Sequence, residues 1–347
     1  MIVALDAMGG DHGASALVKG AVAAARDFGV QVALVGDPAL LEEMLDAEAG
    51  KAKKGPSAPL PIEIVPATQV VAMDESPSEA LRKKKDSSIQ VAFDLVKKGR
   101  AHAVVSAGNS GATLATAMFT LGRIKGVRPA IGTLFPTLKE PSLMIDVGAN
   151  VDCKPVHLLQ FGIMGALFAQ EVLKRPEPKI GILSIGEEGY KGNQQVKKAY
   201  DLLMKSDLNF VGNVEGRDFF KGDVDVVVCD GFVGNICLKL SEGLAEAILK
   251  MLKSELEGNL LATMGYGLAR KAFKNFRKRV DYAEYGGAPL LGVKGVAIIC
   301  HGSSGPKAVR NAIRVAGELA QIGLAQKLEE AMARSGRGAR ESFLKIL

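Results

Sequence analysis

The stretch IVALDAMGGDHG, residues 2–13, sets the reading of the whole chain. Its apolar half shows no polar alternation, which suits a parallel strand covered on both faces. Its second half is a turn rich in Gly and Asp, and an Ala-rich helical stretch follows at about 14–28. The same order of strand, Gly/Asp/Asn/Ser loop and helix recurs in AVVSAGNSGAT (103–113), SLMIDVGANVDCKP (142–155), KIGILSIGEEGYKGN (179–193) and DVDVVVCDGFVGN (223–235). Repetition of that unit predicts an α/β fold, three-layered as α/β/α, with a largely parallel central sheet. Loops at the carboxyl ends of such strands gather ligands. The free N–H groups that open the following helices attract anions. The expectation is one crevice, rich in backbone donors and poor in bulky side chains.

The 347 residues are 48% hydrophobic and include 40 glycines, enough for a large core and many tight turns. They read as a single domain over 1–334, two lobes sharing a sheet, with an amphipathic helical segment protruding at about 240–282. Residues 335–347 read as a flexible basic tail, and AGKAKKGPSAPLP (49–61) as a mobile connection. A net charge of +6, the absence of Trp and an aromatic content of 5% argue against a nucleic-acid partner. Cys153, Cys229, Cys237 and Cys300 form no CxxC pair, and the four histidines supply no ligand spacing, so no metal is expected. Asp6 interrupts the first apolar run, and no run of 18 apolar residues exists, which predicts a soluble intracellular protein.

Gly9, Gly10 and Gly13 depart from the dinucleotide fingerprint, the second strand ends in Gly36 and Asp37, and GxxxxGK[ST] is absent. No cofactor is expected. GNSGA around Ser110 departs from the nucleophile elbow GxSxG, and no Ser-His-Asp triad is declared. The loops instead offer hydroxyls (Ser106, Ser110, Thr113, Ser184), amides (Asn109, Asn150, Asn193, Asn235) and lysines (Lys154, Lys191). That set suits binding a phosphate and stabilising an oxyanion. Asp6, Asp11, Asp146 and Asp230 suit orienting those groups or stiffening turns.

Seven motifs in order carry a resemblance: DAMGGD (6–11), SAGNSGAT (106–113), DVGAN with DCKP (146–155), LSIGEE with KGN (183–193), VCDGFVGN (228–235), YGGAPLLGVKG (285–295) and HGSS (301–304). Over about residues 1–330 the chain resembles the bacterial acyl-ACP:phosphate acyltransferases, the PlsX family. The resemblance implies the fold of isocitrate and isopropylmalate dehydrogenases and of phosphotransacetylase. It implies acyl transfer from acyl carrier protein to inorganic phosphate. The acyl phosphate would feed a downstream glycerol-3-phosphate acyltransferase in phosphatidic acid synthesis. It also implies a homodimer in peripheral contact with the inner face of the cell membrane.

Phosphate is already an anionic nucleophile, so the chemistry needs orientation and charge stabilisation more than a base. The leaving thiol, with a pKa near ~8.5, departs with little acid help. Direct attack without an acyl-enzyme is expected. Lys191, Asn193, Asn235 and His301 are the catalytic candidates. The substrate-binding candidates are Asp6, Gly9, Gly10, Asp11, Ser106, Gly108, Asn109, Ser110, Gly111, Thr113, Asp146, Asn150, Lys154, Gly186, Glu187, Asp230, Ser303 and Ser304. Competing readings are a CoA-dependent phosphotransacylase, a nicotinamide-dependent decarboxylating dehydrogenase and a non-catalytic membrane scaffold for acyltransferases.

LLATMGYGLARKAFKNFRKRV (260–280) sets Leu268, Phe273 and Phe276 on one half of a helical wheel and Arg270, Lys271, Lys274, Arg277 and Lys278 mostly on the other. It reads as a helix packed on the body or on a second subunit, as a steering surface for an acidic carrier protein, or as a contact with anionic lipid. Gly265 and Gly267 weaken a helix there. The basic run Arg82–Lys85 is a second candidate for phosphate or carrier contact, or else a solvated helix end.

Overall fold

The apolar runs become strands, as their unbroken hydrophobicity requires. They are β1 (Ile2–Asp6), β2 (Gln31–Gly36), β3 (Ile62–Pro66), β4 (Ala103–Ser106), β5 (Ala130–Phe135), β6 (Ser142–Ile145), β7 (Ile180–Ser184), β8 (Phe210–Glu215), β9 (Val226–Val228), β10 (Ala288–Leu291) and β11 (Val296–Ile299). The helices are α1 (Gly13–Phe28), α2 (Pro38–Ala49), α3 (Pro77–Lys83), α4 (Ser88–Lys97), α5 (Ser110–Thr120), α6 (Pro155–Glu171), α7 (Gln194–Met204), α8 (Gly216–Phe219), α9 (Gly231–Glu257), α10 (Leu260–Val280), α11 (Pro306–Gln321) and α12 (Leu324–Leu344). This computed structural model describes residues 1–49, 60–257 and 260–344. Most of the connection read at 49–61 lies outside them, as do residues 345–347.

One sheet runs in the order β3-β2-β1-β4-β11-β10-β5-β6-β9-β7-β8. Its two faces are covered separately. Val3, Leu5, Val32 and Leu34 share one core with residues of α1, α6 and α11, whereas Ala4, Ala33 and Val35 share another with residues of α4 and α5. Alternate residues of one strand thus enter two different cores, which makes the molecule three-layered.

Strand direction corrects one expectation. β3, β2, β1, β4 and β11 are mutually parallel. β10 runs against both β11 and β5, and β5 runs against β6. β6, β9, β7 and β8 are again parallel, but opposed to the first block. The carboxyl ends of β1, β4 and β11 therefore leave the sheet in one sense, and those of β6, β9 and β7 in the other. The motif loops do not all gather at the carboxyl ends of one parallel block. The strand-loop-helix unit reads identically in either direction, and the three successive antiparallel pairings β11–β10, β10–β5 and β5–β6 fix the reversal.

α9 spans the gap. It starts at the end of β9 and, with 27 residues, is about 40 Å long. Glu242, in its middle, is within electrostatic reach of His301 beyond β11. α9 turns back into α10, which runs unbroken through Gly265 and Gly267. Leu240, Leu244, Ile248 and Met251 of α9 and Leu268 and Phe276 of α10 are exposed, Leu268 at 92%. Phe273 is half-buried against Tyr266, with ring centroids 4.9 Å apart. Arg270, Lys271, Lys274, Arg277 and Lys278 are exposed. Among the described residues no helix is long and apolar enough to cross a membrane.

The hairpin is fixed at its root. The Arg279 guanidinium donates to the carbonyls of Thr137, Leu138 and Lys139 at 2.6–2.8 Å. Lys307 of α11 pairs with Asp281 and Glu284, each at 2.7 Å. Arg279→Ala removes a charge-assisted anchor. Amide hydrogen exchange should then speed up in α10 and stay unchanged in the central strands, read by mass spectrometry.

Candidate active site

The β1, β4 and β11 loops form one network. Asp6 is fully buried at the end of β1. Its carboxylate accepts the Ser106 hydroxyl at 2.7 Å and the Met8 N–H at 3.3 Å. Burial lifts its pKa, and bonds from Ser88, Ser106, Met8 and Gly9 pull the other way. Ser106 Oγ also accepts the Gly108 N–H at 3.1 Å, and Thr113 Oγ1 lies 3.3 Å from it. A side chain at Gly9 would strike the Gly108 backbone, so the two loops touch main chain to main chain. Gly10 adopts a left-handed φ of +86°, and the Asp11 N–H donates to the Gly302 carbonyl at 2.7 Å. HGSS is thereby tied to DAMGGD.

Asn109 caps α5, its Oδ1 accepting the Ala112 N–H at 3.0 Å. The N–H groups of Ser110 and Gly111, the first two of that helix, find no acceptor among the described residues. Asn109 Nδ2 reaches the carbonyls of Ala72, Met73 and Glu75 at 2.8–3.2 Å. Sequence reading missed that covering segment. Part of the basic run holds it: Lys84 pairs with Glu75 and donates to the Val70 carbonyl, while Lys83 pairs with Glu79. His301 is exposed. The Ser303 N–H donates to its Nδ1 at 3.3 Å, and Ser303 Oγ lies 2.7 Å from the same nitrogen. An Nδ1 that accepts puts the ring proton on Nε2. Ser304 is buried, its N–H on the His301 carbonyl.

The second network surrounds Asp146, fully buried after β6. Five N–H donors converge on its carboxylate: the backbones of Ile131, Gly148, Ala149 and Asn150 and the Asn150 amide, at 2.7–3.2 Å. Burial raises its pKa against the pull of these donors. Asn150 also donates to the Pro129 carbonyl at 2.7 Å and accepts Arg128 Nε. Its own carbonyl accepts the Gly231 N–H at 2.7 Å, docking the start of α9. Asp230 caps that helix, accepting the Val233 N–H at 2.9 Å. Asn235 lies within α9 rather than in a loop, its side chain facing Gly148. Lys154 is exposed ahead of α6, and its N–H donates to His157 Nδ1 at 3.1 Å.

The β7 loop stands beside this second network. Asn193 caps α7 through the Val196 N–H at 2.9 Å. The Lys191 ammonium lies 5.5 Å from the Tyr190 ring centroid, and Gly186 packs against the Lys191 stem. Glu187 is exposed. Ser184 Oγ and Asn213 Oδ1 are buried with no hydrogen-bond partner among the described residues. Lys191, Asn193 and Asn235 thus belong to one block and His301 to the other, with α9 between them. Arg128 and Glu242 were missed. Arg128 stands in a plain basic stretch before Pro129, and Glu242 is one carboxylate of a long helix, so neither shows a motif. Burial raises the Glu242 pKa, and His301 and Lys239 lower it.

Three changes test these networks. Asp146→Asn turns an amide N–H₂ toward at least two of the five donors and should cost roughly 3 kcal/mol in denaturant unfolding. Gly234→Ala would set a methyl 1.9 Å from the Asp146 carbonyl oxygen, pushing α9 off the turn. It should lower stability by about 1–3 kcal/mol or more. His157 has its pKa lowered from 6.5 by burial and by Arg128 and Lys154. Below that pH the unfolded chain binds a proton that the fold resists, so stability falls as pH drops through this window. His157→Gln should flatten that dependence in denaturation curves.

The family model described as "Fatty acid synthesis protein" matches residues 1–327. A phosphate acyltransferase of Geobacter sp. (strain M21) is 56% identical, over 98% of this chain and 97% of that one. A phosphotransacetylase from Streptococcus pyogenes superposes with a TM-score of 0.60 at 17% identity, over 92% of this chain and 94% of that one. A 4-hydroxythreonine-4-phosphate dehydrogenase from Klebsiella pneumoniae gives 0.55 at 15% identity, over 92% and 99%. The two structures share the fold, and the identity of over half the residues across nearly the whole chain carries more: the protein is an acyltransferase and belongs to the phosphate acyltransferase family.

Proposed function

We propose that the chain moves an acyl group from the thioester of acyl carrier protein to inorganic phosphate, giving an acyl phosphate for phosphatidic acid synthesis. One observation carries this reading. The carboxylates of Asp146 and Asp230 are taken up by N–H donors of their own turns, and that of Asp6 by the Met8 N–H of its turn and the Ser106 hydroxyl of the β4 loop. The loops therefore offer N–H groups, amides and lysines to an incoming anion. A phosphate oxygen attacks the thioester carbonyl carbon, the carbon–oxygen bond forms and the carbonyl becomes an oxyanion. The carbon–sulfur bond then breaks, and the thiolate leaves and takes up a proton. His301, with its proton on Nε2, supplies a hydrogen bond to the oxyanion or a proton to the thiolate. Lys191 and Lys154 attract phosphate, Ser110, Asn193, Asn235 and Ser303 orient the donor, and Asn109, its amide taken up by the α5 cap and the 72–75 carbonyls, holds that wall in place.

The exposed apolar residues of α9 and α10, beside five exposed cations, support peripheral contact with an anionic membrane. The same exposed stripe suits a second copy of the chain, and the cations suit an acidic carrier. A downstream glycerol-3-phosphate acyltransferase would consume the product at that membrane.

Purified protein with acyl carrier thioester and phosphate should yield acyl phosphate, trapped as hydroxamate by hydroxylamine. Faster turnover of a short acyl-CoA would favour a phosphotransacylase of the CoA-dependent type instead. Lys191→Ala should raise the KM for phosphate about tenfold, as loss of one charge-assisted contact implies. An unchanged KM removes that lysine from the site. Leu268→Glu with Phe276→Glu should abolish sedimentation with anionic vesicles and leave hydroxamate formation in solution intact.

A further inference from the structure

Beside the Asp146–Asn150 turn, residues 123–128 and the start of α6 enclose a pocket of about 720 Å³, a size usual for small-molecule and cofactor sites. None of the seven motifs includes it. Arg123, Lys125 and Arg128 line it within six residues of chain, and all three are exposed. None of the three forms an ion pair among the described residues. The lining contains no carboxylate. Three cations so close repel one another, and an anion that neutralises them is bound with gain.

The pocket is built rather than incidental. Gln160 of α6 accepts the Arg128 N–H at 2.9 Å and donates to the Gly126 carbonyl at 2.8 Å, which fixes the basic loop on the helix. Arg128 uses Nε on Asn150, so its two terminal nitrogens are left for a ligand while the residue touches the turn of the second network. His157 lines another side. Its Nδ1 accepts the Lys154 N–H, so Nε2 carries a proton to donate. Val156 adds an apolar wall. Cations, a neutral N–H donor and an apolar wall in this volume match an organic phosphate better than a bare ion.

We infer that the Arg123–Lys125–Arg128 pocket binds the phosphate ester of the phosphopantetheine arm that carries the acyl thioester, and so seats the donor beside the Asp146–Asn150 turn. The inference rests on the acyl-donor reading above and names the part of that donor which the chain grips. Arg128 also positions the turn through Asn150, whereas Arg123 and Lys125 act on the ester alone.

The test is calorimetric titration of the full chain with 4′-phosphopantetheine, pantetheine and inorganic phosphate, for the wild type and for Arg123→Ala/Lys125→Ala. Both side chains are exposed, so the melting curve should not move. Phosphopantetheine should bind the variant about tenfold or more weakly, and added salt should narrow the difference. Pantetheine should not distinguish the two proteins. Equal phosphopantetheine affinity in both proteins would overturn the assignment. So would a matching loss of inorganic phosphate affinity, which would make the pocket the site of the second substrate. Hydroxamate formation on the same preparations separates the two claims. Wild-type protein that binds phosphopantetheine but makes no acyl phosphate keeps the pocket and ends the reaction proposal. Acyl phosphate formation without phosphopantetheine binding does the reverse.

Discussion

The Asp146 carboxylate is the constraint around which the second half of the molecule is arranged. A buried anion is tolerated only where donors surround it, and here they come from β5, from the 148–150 turn and from the Asn150 amide. Asn150 then passes the same order outward. It holds Pro129 and Arg128 on one side and the first residue of α9 on the other. A single acid thus sets where β5 begins, how the turn closes and where the long helix starts. Asp6 plays the smaller counterpart in the first half, fixing Ser106 and through it Gly108.

These two acids explain how a fold with many carboxylates in its motifs can still receive anions. Charge that is neutralised inside a turn does not repel a ligand outside it. What faces outward is the unused N–H groups and the lysines of the loops. The same logic extends to the surface pocket at 123–128, where cations stand without acids. Donor-rich turns and an acid-free basic pocket are adjacent because Arg128 belongs to both.

α9 relates the halves. Strand direction reverses across β10, β5 and β6, and the helix that starts on Asn150 reaches Glu242 near His301. Its exposed apolar residues continue into α10, and the hairpin root is pinned by Arg279 to the 137–139 carbonyls.

Strand and helix identities were legible because buried parallel strands must be apolar throughout and their turns must be small. Ile2–Asp6, Ala103–Ser106 and Ile180–Ser184 follow directly from that rule. Asn109 and Asn193 read as site amides and Asp230 as a residue that orients its neighbours or stiffens a turn; in the structure all three cap helices, accepting the N–H groups of Ala112, Val196 and Val233. Direction was not legible: a strand's composition is the same whichever way it runs, and although β5–β6 and β10–β11 are local antiparallel pairs, β10 meets β5 from more than a hundred residues away. Arg128, Glu242 and the segment over Asn109 were hidden for the same reason. Local pattern reports which backbone a residue prefers and which face it buries. It carries no record of which distant residue will meet it, and that meeting alone makes an ordinary arginine part of a site.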